Sequence, residues 1–151
     1  MRTWTRALVI VIAVMTGTLG VWAGFAPVSF YQQGPLPFVN TGWVAGLPPY
    51  NEHLVRDYGF MNLGMTVVLV VAAISLTPVL VRTGTAALFV FAVPHMVFHG
   101  FHLEHLSAAG AATQMMTVAV LTVVLPAIVF LMAGRPPVTH PGGPRRLSRR
   151  R

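Results

Sequence analysis

The fold is decided by the apolar stretch at 59–80, GFMNLGMTVVLVVAAISLTPVL, which contains no charged residue. A helix of about 20 mostly apolar residues crosses the hydrocarbon core of a bilayer, which is about 30 Å thick. Three further stretches of similar length and composition lie at 7–26, 85–106 and 111–133. We therefore predict an all-α membrane protein, a bundle of four transmembrane helices, whose membrane domain comprises residues 1–134.

The composition supports this class and excludes several others. Of 151 residues, 55% are hydrophobic and only 9% are charged, and the mean hydropathy is +0.71, which is too apolar for an ordinary soluble domain. The sequence has no cysteine, so a metal would need nitrogen or oxygen ligands. It also lacks a phosphate-binding glycine loop, a dinucleotide fingerprint and a serine nucleophile elbow.

The arginines predict how the bundle is oriented. The net charge of +7 comes from ten arginines, no lysine and three acidic residues. Nine arginines lie before the first span, between the second and third spans, or after the fourth, and only Arg56 falls at the opposite end. Because cytoplasmic loops are enriched in arginine and lysine, we predict that both termini are cytoplasmic. We interpret the first span as retained, since its apolar stretch is longer than the core of a signal peptide.

The segments outside the spans differ in composition. Residues 27–51 contain five prolines, several aromatic residues and no charge, which predicts an irregular outer loop at the headgroup level. Asn51 is placed to cap the next helix, whose first turn carries Glu52. The tail, 135–151, is rich in proline, glycine and arginine. We predict that this basic cytoplasmic tail is disordered and binds anionic lipids of the inner leaflet, and no nucleic acid.

Glycines and prolines within the spans predict local packing. Gly17, Gly20 and Gly24 lie about one turn apart on the first helix and would let a neighbouring helix approach closely. Pro78 is expected to mark the end of the second helix, and Pro126 to kink the fourth.

Polar side chains collect at the outer end of the predicted bundle. All three acids and five of the six histidines lie at the start of the second helix or in the outer half of the third: Glu52, His53, Asp57, His95, His99, His102, Glu104 and His105. Ionisable side chains inside a bilayer are costly and normally face the bundle interior. This outer end is therefore the predicted functional site.

Helical geometry narrows the set of candidate ligands. On a continuous third helix, His95, His99 and His102 would share a face about 60° wide. His99 and His102 are the predicted metal ligands from this helix. His53 or Asp57, which are i, i+4 neighbours on the second helix, would complete the site. Such mixed ligation suits Zn, Fe, Mn or Cu.

The remaining polar residues have predicted supporting roles. His95 lies deeper than the metal ligands and is assigned to cofactor binding together with His99, or to a proton relay. Glu104 would point away from the histidine face. Supporting or structural roles are predicted for four residues: Glu52, Arg56, Glu104 and His105.

Two stretches carry a resemblance to a known family, PYNEHLVRDYG at 49–59 and VPHMVFHGFHL at 93–103. With the span between them, they resemble small four-helix membrane proteins of actinobacteria, which are broadly similar to the DoxX-like group. The resemblance covers about residues 43–133. It implies a four-helix bundle in the bacterial inner membrane and no particular activity.

Three functional hypotheses follow. The first is a metal-binding membrane protein, with redox chemistry as one form. The second is a protein that binds a quinone or haem b, with His95 or His99 contacting the cofactor. Haem b is a less favoured cofactor than a transition metal. The third is non-catalytic: an accessory subunit of a larger membrane complex, or a small lipid-binding or transport protein, with homo-oligomers as a further option. The sequence identifies no substrate and leaves open whether the protein is an enzyme.

Overall fold

The computed structural model describes residues 2–36, 38–47 and 49–134, of which 79% are helical and none forms a strand. The elements in chain order are helix α1 (Arg2–Phe25), α2 (Pro27–Gln33), α3 (Glu52–Ser75), α4 (Pro78–Gly100), α5 (Ala108–Val118), a π-helical segment (Ala119–Val124) and α6 (Leu125–Met132). Within these described ranges, four helices are long and apolar enough to cross a membrane, namely α1, α3, α4 and the continuous run Ala108–Met132. The prediction of an all-α protein with four such helices is confirmed. The predicted basic tail, 135–151, lies outside the described residues.

Glycines bring α1 and α3 into close antiparallel contact. A Cβ atom on Gly20 would lie 2.9 Å from the carbonyl oxygen of Gly59 and 2.8 Å from Cγ of Leu63, distances that real Cβ atoms essentially never show. Gly59 in turn faces the backbone of Gly24, and no side chain would fit between them. The predicted close approach of a neighbouring helix to the α1 glycines is therefore confirmed, and the neighbour is α3.

The apolar core lies at one end of the bundle. Its buried side chains come from the first half of α1, the last part of α3, the start of α4 and the end of α6: Val9, Ile12, Ala13, Leu69, Ala72, Ala73, Val81 and Val129. Arg6 and Arg82 lie at this same end, which we call the basic end. The opposite end carries the histidines of α3 and α4, and we call it the histidine end. Dense packing is thus concentrated away from the polar residues.

Three arginines join the start of one helix to the end of an antiparallel neighbour. Arg6 Nε donates to the carbonyl of Ala73 near the end of α3, at 3.1 Å. Arg82 Nη1 donates to the carbonyls of Phe130 and Gly134 at the end of α6, at 3.2 and 3.1 Å. At the histidine end, Arg56 Nη1 donates to the carbonyl of Gly24 in the last turn of α1, at 2.6 Å. Backbone carbonyls at helix ends lack partners within their own helix, so these bonds satisfy them.

The turn between α3 and α4 differs from the prediction. The start of α3 is as expected, because Asn51 Oδ1 accepts a hydrogen bond from the Leu54 amide at 3.1 Å and Glu52 lies in the first turn. The helix ends at Ser75, where Leu76 follows with a positive φ of 50°. Pro78 is the first residue of α4, so its predicted place at the end of the second helix is wrong. Proline is favoured at a first helical position because the missing N–H would have no partner there.

The α4 helix ends earlier than the sequence pattern predicts, and this changes the histidine geometry. It stops at Gly100, where the amides of Phe101 and His102 bond three residues back to Phe98 and His99, both at 3.1 Å. Glycine weakens a helix, and such tighter bonds are typical of a last turn. His102 therefore lies in the connection 101–107, and its predicted helical alignment with the α4 histidines is wrong.

The fourth transmembrane helix is irregular near Pro126. The π-helical segment precedes α6, and the Leu125 amide bonds to the Val120 carbonyl, five residues back. Pro126 is at the second position of α6 and has no N–H to donate. Pro126 predicts an irregularity in this helix, and the structure has one next to it in the form of the π-helical segment.

Candidate functional site

A cavity of about 440 Å³ lies inside the bundle at the histidine end. Transmembrane helices α1, α3 and α4 and the run from α5 into the π-helical segment all contribute to its wall. Most of the lining is apolar and includes Met15, Leu19, Leu54 and Leu121. The few polar side chains in the wall are therefore the candidates for recognising a ligand.

The segment that follows α1 forms part of the cavity wall. Phe30 of α2 and Trp43 are 4% and 8% exposed and both line the cavity. The predicted outer loop is irregular from Gly34 onward, but residues 27–33 form α2, which begins at Pro27. Trp43, one of the aromatic residues of the predicted outer loop, is buried against the cavity. The predicted position of the loop aromatics at the headgroup level stays a prediction. The segment acts as the outer wall of the cavity.

A buried polar contact between side chains joins α4 to α5. Gln114 and His99 are 1% and 8% exposed, and Gln114 Nε2 lies 3.1 Å from His99 Nδ1. With the amide as the donor, Nδ1 accepts and the neutral imidazole carries its proton on Nε2. Both side chains line the cavity. Sequence reasoning missed Gln114, although a lone amide in an otherwise apolar span was an available signal.

His95 extends this polar wall by one turn of α4. Its ring stacks on Phe91 with centroids 4.9 Å apart and meets the His99 ring edge-on at 4.5 Å. It also lines the cavity. The structure therefore brings together His95 and His99, the two residues predicted to contact a cofactor.

The remaining predicted metal ligands lie elsewhere. His53 Nε2 and Asp57 Oδ2 form a pair at 3.2 Å, with side chains 86% and 52% exposed, and neither lines the cavity. His102 stacks on Phe98 at 4.0 Å between centroids, and its Nδ1 lies 2.7 Å from the Phe98 carbonyl oxygen at the end of α4. Within the described residues, no group of three or more histidine, aspartate or glutamate side chains could hold a metal ion. Metal binding stays a prediction.

The predicted supporting residues have separate surroundings. Arg56 binds Glu52 through Nε and Nη2, both at 2.8 Å from Oε1, in addition to its bond to α1. Glu104 is exposed in the connection between α4 and α5. The His105 ring packs against Gly46, where a larger residue would collide with it. Arg56 and His105 therefore hold the helices and the outer segment around the cavity.

Comparison of the chain with protein-family models, with curated proteins and with solved structures gives no match. The resemblance to small four-helix membrane proteins stays a prediction.

Proposed function

We propose that this is a multi-pass protein of the bacterial cytoplasmic membrane that binds a small, lipid-soluble molecule in the cavity at the histidine end. The observation that carries the proposal is the cavity, whose volume of about 440 Å³ falls within the range of about 300–1,000 Å³ that is usual for ligand sites. Its wall is mostly apolar, with a few convergent polar groups, which is the usual composition of such sites.

The polar groups define how a ligand would be oriented. His95, His99 and Gln114 come from α4 and α5, whereas α1 contributes the apolar side chains of Met15 and Leu19 to the cavity wall. A molecule with one small polar head and an apolar body would place the head against the histidines. Of the three hypotheses from the sequence, this arrangement favours a quinone or a small lipid.

A bulky side chain introduced into the cavity should weaken ligand binding. Thr117 lines the cavity and Val120, one turn along, is 47% exposed and does not line it. We expect Thr117→Phe to weaken binding of decylubiquinone, in its oxidised or reduced form, by about tenfold or more, because the ring occupies the ligand volume. Val120→Phe adds the same ring to the lipid-facing side and should leave the affinity unchanged. Calorimetry on protein in nanodiscs, with empty nanodiscs as the background, measures both.

Three results would contradict this proposal. The first is the absence of saturable binding of either form of decylubiquinone, and the second is equal affinity in the two phenylalanine variants. The third is a metal bound in a stoichiometric amount, or a Soret band, in the purified protein, since either would favour the metal or haem hypothesis instead.

We also propose that both termini are cytoplasmic, so that the cavity lies in the outer half of the membrane. Among the described residues, Arg2, Arg6 and Arg82 belong to the basic end and Arg56 to the histidine end. Such an excess of arginine is typical of the cytoplasmic side.

The orientation can be measured directly because the chain has no cysteine. Asn40→Cys, in the exposed part of the outer segment, should react with a membrane-impermeant maleimide on intact cells. Thr3→Cys should react only after the cells are permeabilised. Labelling in the reverse pattern would overturn the proposed orientation.

A further inference from the structure

One polar atom in the cavity wall has no partner. Among the described residues, Gln114 Oε1 is the only buried side-chain nitrogen or oxygen without a hydrogen bond. The Gln114 side chain is 1% exposed and lines the cavity. An unpaired acceptor inside a bilayer is costly, because no water is at hand to satisfy it. Gln114 therefore carries an unpaired hydrogen-bond acceptor at the cavity wall, which a turn of its side chain would present to a ligand.

The direction of the hydrogen bond from Gln114 to His99 determines that the unpaired atom is an acceptor and not a donor. The amide Nε2 is 3.1 Å from His99 Nδ1, so the amide donates towards the ring and keeps its oxygen free. A ligand that only accepts, such as a ketone or an ether, would leave Oε1 unpaired. A ligand with a hydroxyl group would donate to it. The opposite amide orientation would present a donor and favour a ketone, so the two arrangements predict different ligands.

A row of aromatic rings leads from His99, the partner of Gln114, along the cavity wall. His99 meets His95 edge-on, His95 stacks on Phe91, and Phe91 lies 6.0 Å from Tyr58, which is itself 5.6 Å from Phe30. Four of these five rings line the cavity. Aromatic side chains pack favourably against another ring in offset or edge-to-face geometry.

We infer that the ligand carries a phenolic head, an aromatic ring whose hydroxyl donates a hydrogen bond to Gln114 Oε1. This inference rests on the proposed binding function and narrows it to one chemical class. No covalent step is involved, because the hydroxyl keeps its proton and the site only recognises it.

The test compares two probes that differ by one methyl group on the oxygen, 4-hexylphenol and 4-hexylanisole. Binding to the protein in nanodiscs is measured by equilibrium dialysis of the radiolabelled probes, with empty nanodiscs as the background. We expect 4-hexylphenol to bind about tenfold more tightly, because the anisole leaves the buried acceptor unpaired. Gln114→Leu should remove this preference. Met116→Leu, a change on the exposed face of the same helix, should retain it.

The outcomes separate the inference from the proposed function. Equal affinity of the unmodified protein for both probes, or tighter binding of the anisole, would overturn the phenolic head while leaving the cavity as a binding site. Binding of decylubiquinone without binding of 4-hexylphenol would likewise overturn the phenolic head and leave the cavity as a binding site. A preference for 4-hexylphenol that persists in Gln114→Leu would overturn the role of the amide. If none of the probes binds, the binding function itself fails. The comparison on the unmodified protein does not depend on whether the leucine variant folds.

Discussion

Gly59→Leu is expected to abolish the packing of α1 on α3 and to leave little folded protein. Gly59 faces the backbone of Gly24, so a side chain at this position would force the two helices apart along their whole contact. Overpacking in a core usually costs about 1–3 kcal/mol, and we expect a larger loss here because backbone cannot move aside as a side chain can. In a membrane, helix association depends on such close approach of small residues. Thermal unfolding in detergent, followed by size-exclusion chromatography, measures the effect.

A matched control lies on the same helix. Gly64 has no atom within 4 Å of the position that a Cβ would occupy, so Gly64→Leu adds the same side chain towards open space. We expect this variant to unfold close to the temperature of the unmodified protein. If both leucine variants behaved alike, glycine itself rather than its contact with α1 would be responsible, and the proposed interface would be wrong.

His99→Leu is expected to destabilise the protein by about 1–3 kcal/mol, since it leaves the buried Gln114 amide without its partner. Changing the other partner, Gln114→Leu, should lower the free energy of unfolding by a similar amount, because it leaves His99 Nδ1 unpaired inside the bundle. Replacing both residues with leucine removes both polar groups. We therefore expect the double variant to be more stable than the sum of the two single changes predicts.

The double-mutant cycle is measured as the free energy of unfolding in mixed micelles. His102→Leu is a suitable comparison, because its ring lies in the connection after α4 and bonds only to the carbonyl of Phe98. Additive effects of His99→Leu and Gln114→Leu would show that the 3.1 Å contact contributes nothing to the fold.

The all-helical class and the four helices long and apolar enough to cross a membrane could be predicted from the sequence, because span length and hydropathy indicate them. The N-cap at Asn51 and the close contacts of the α1 glycines could also be predicted, since each depends on a short local pattern. The end of α4 could not. The apolar pattern continues through Phe101 and Leu103, whereas the backbone turns after Gly100.

The candidate site could be predicted only in part. The acids and histidines do gather at one end, and His95 and His99 are neighbours, as expected from their spacing of four residues. Periodicity says nothing about which residue of another helix meets them, so Gln114 was missed. It also does not fix how far a helix is rotated about its axis, and α3 turns Leu54 and Tyr58, rather than His53 and Asp57, towards the cavity.

The arginine contacts between helix ends bear on how the chain assembles. A membrane protein of this kind first inserts its helices and then pairs them. Arg6 and Arg56 each link α1 to α3 at opposite ends of the two helices, whereas Arg82 links α4 to α6. Lysine in these positions would guide insertion equally well, but it lacks the fork of N–H groups with which Arg56 holds Glu52 and Gly24 together. Arginine at these positions therefore contributes to which helices pair after insertion.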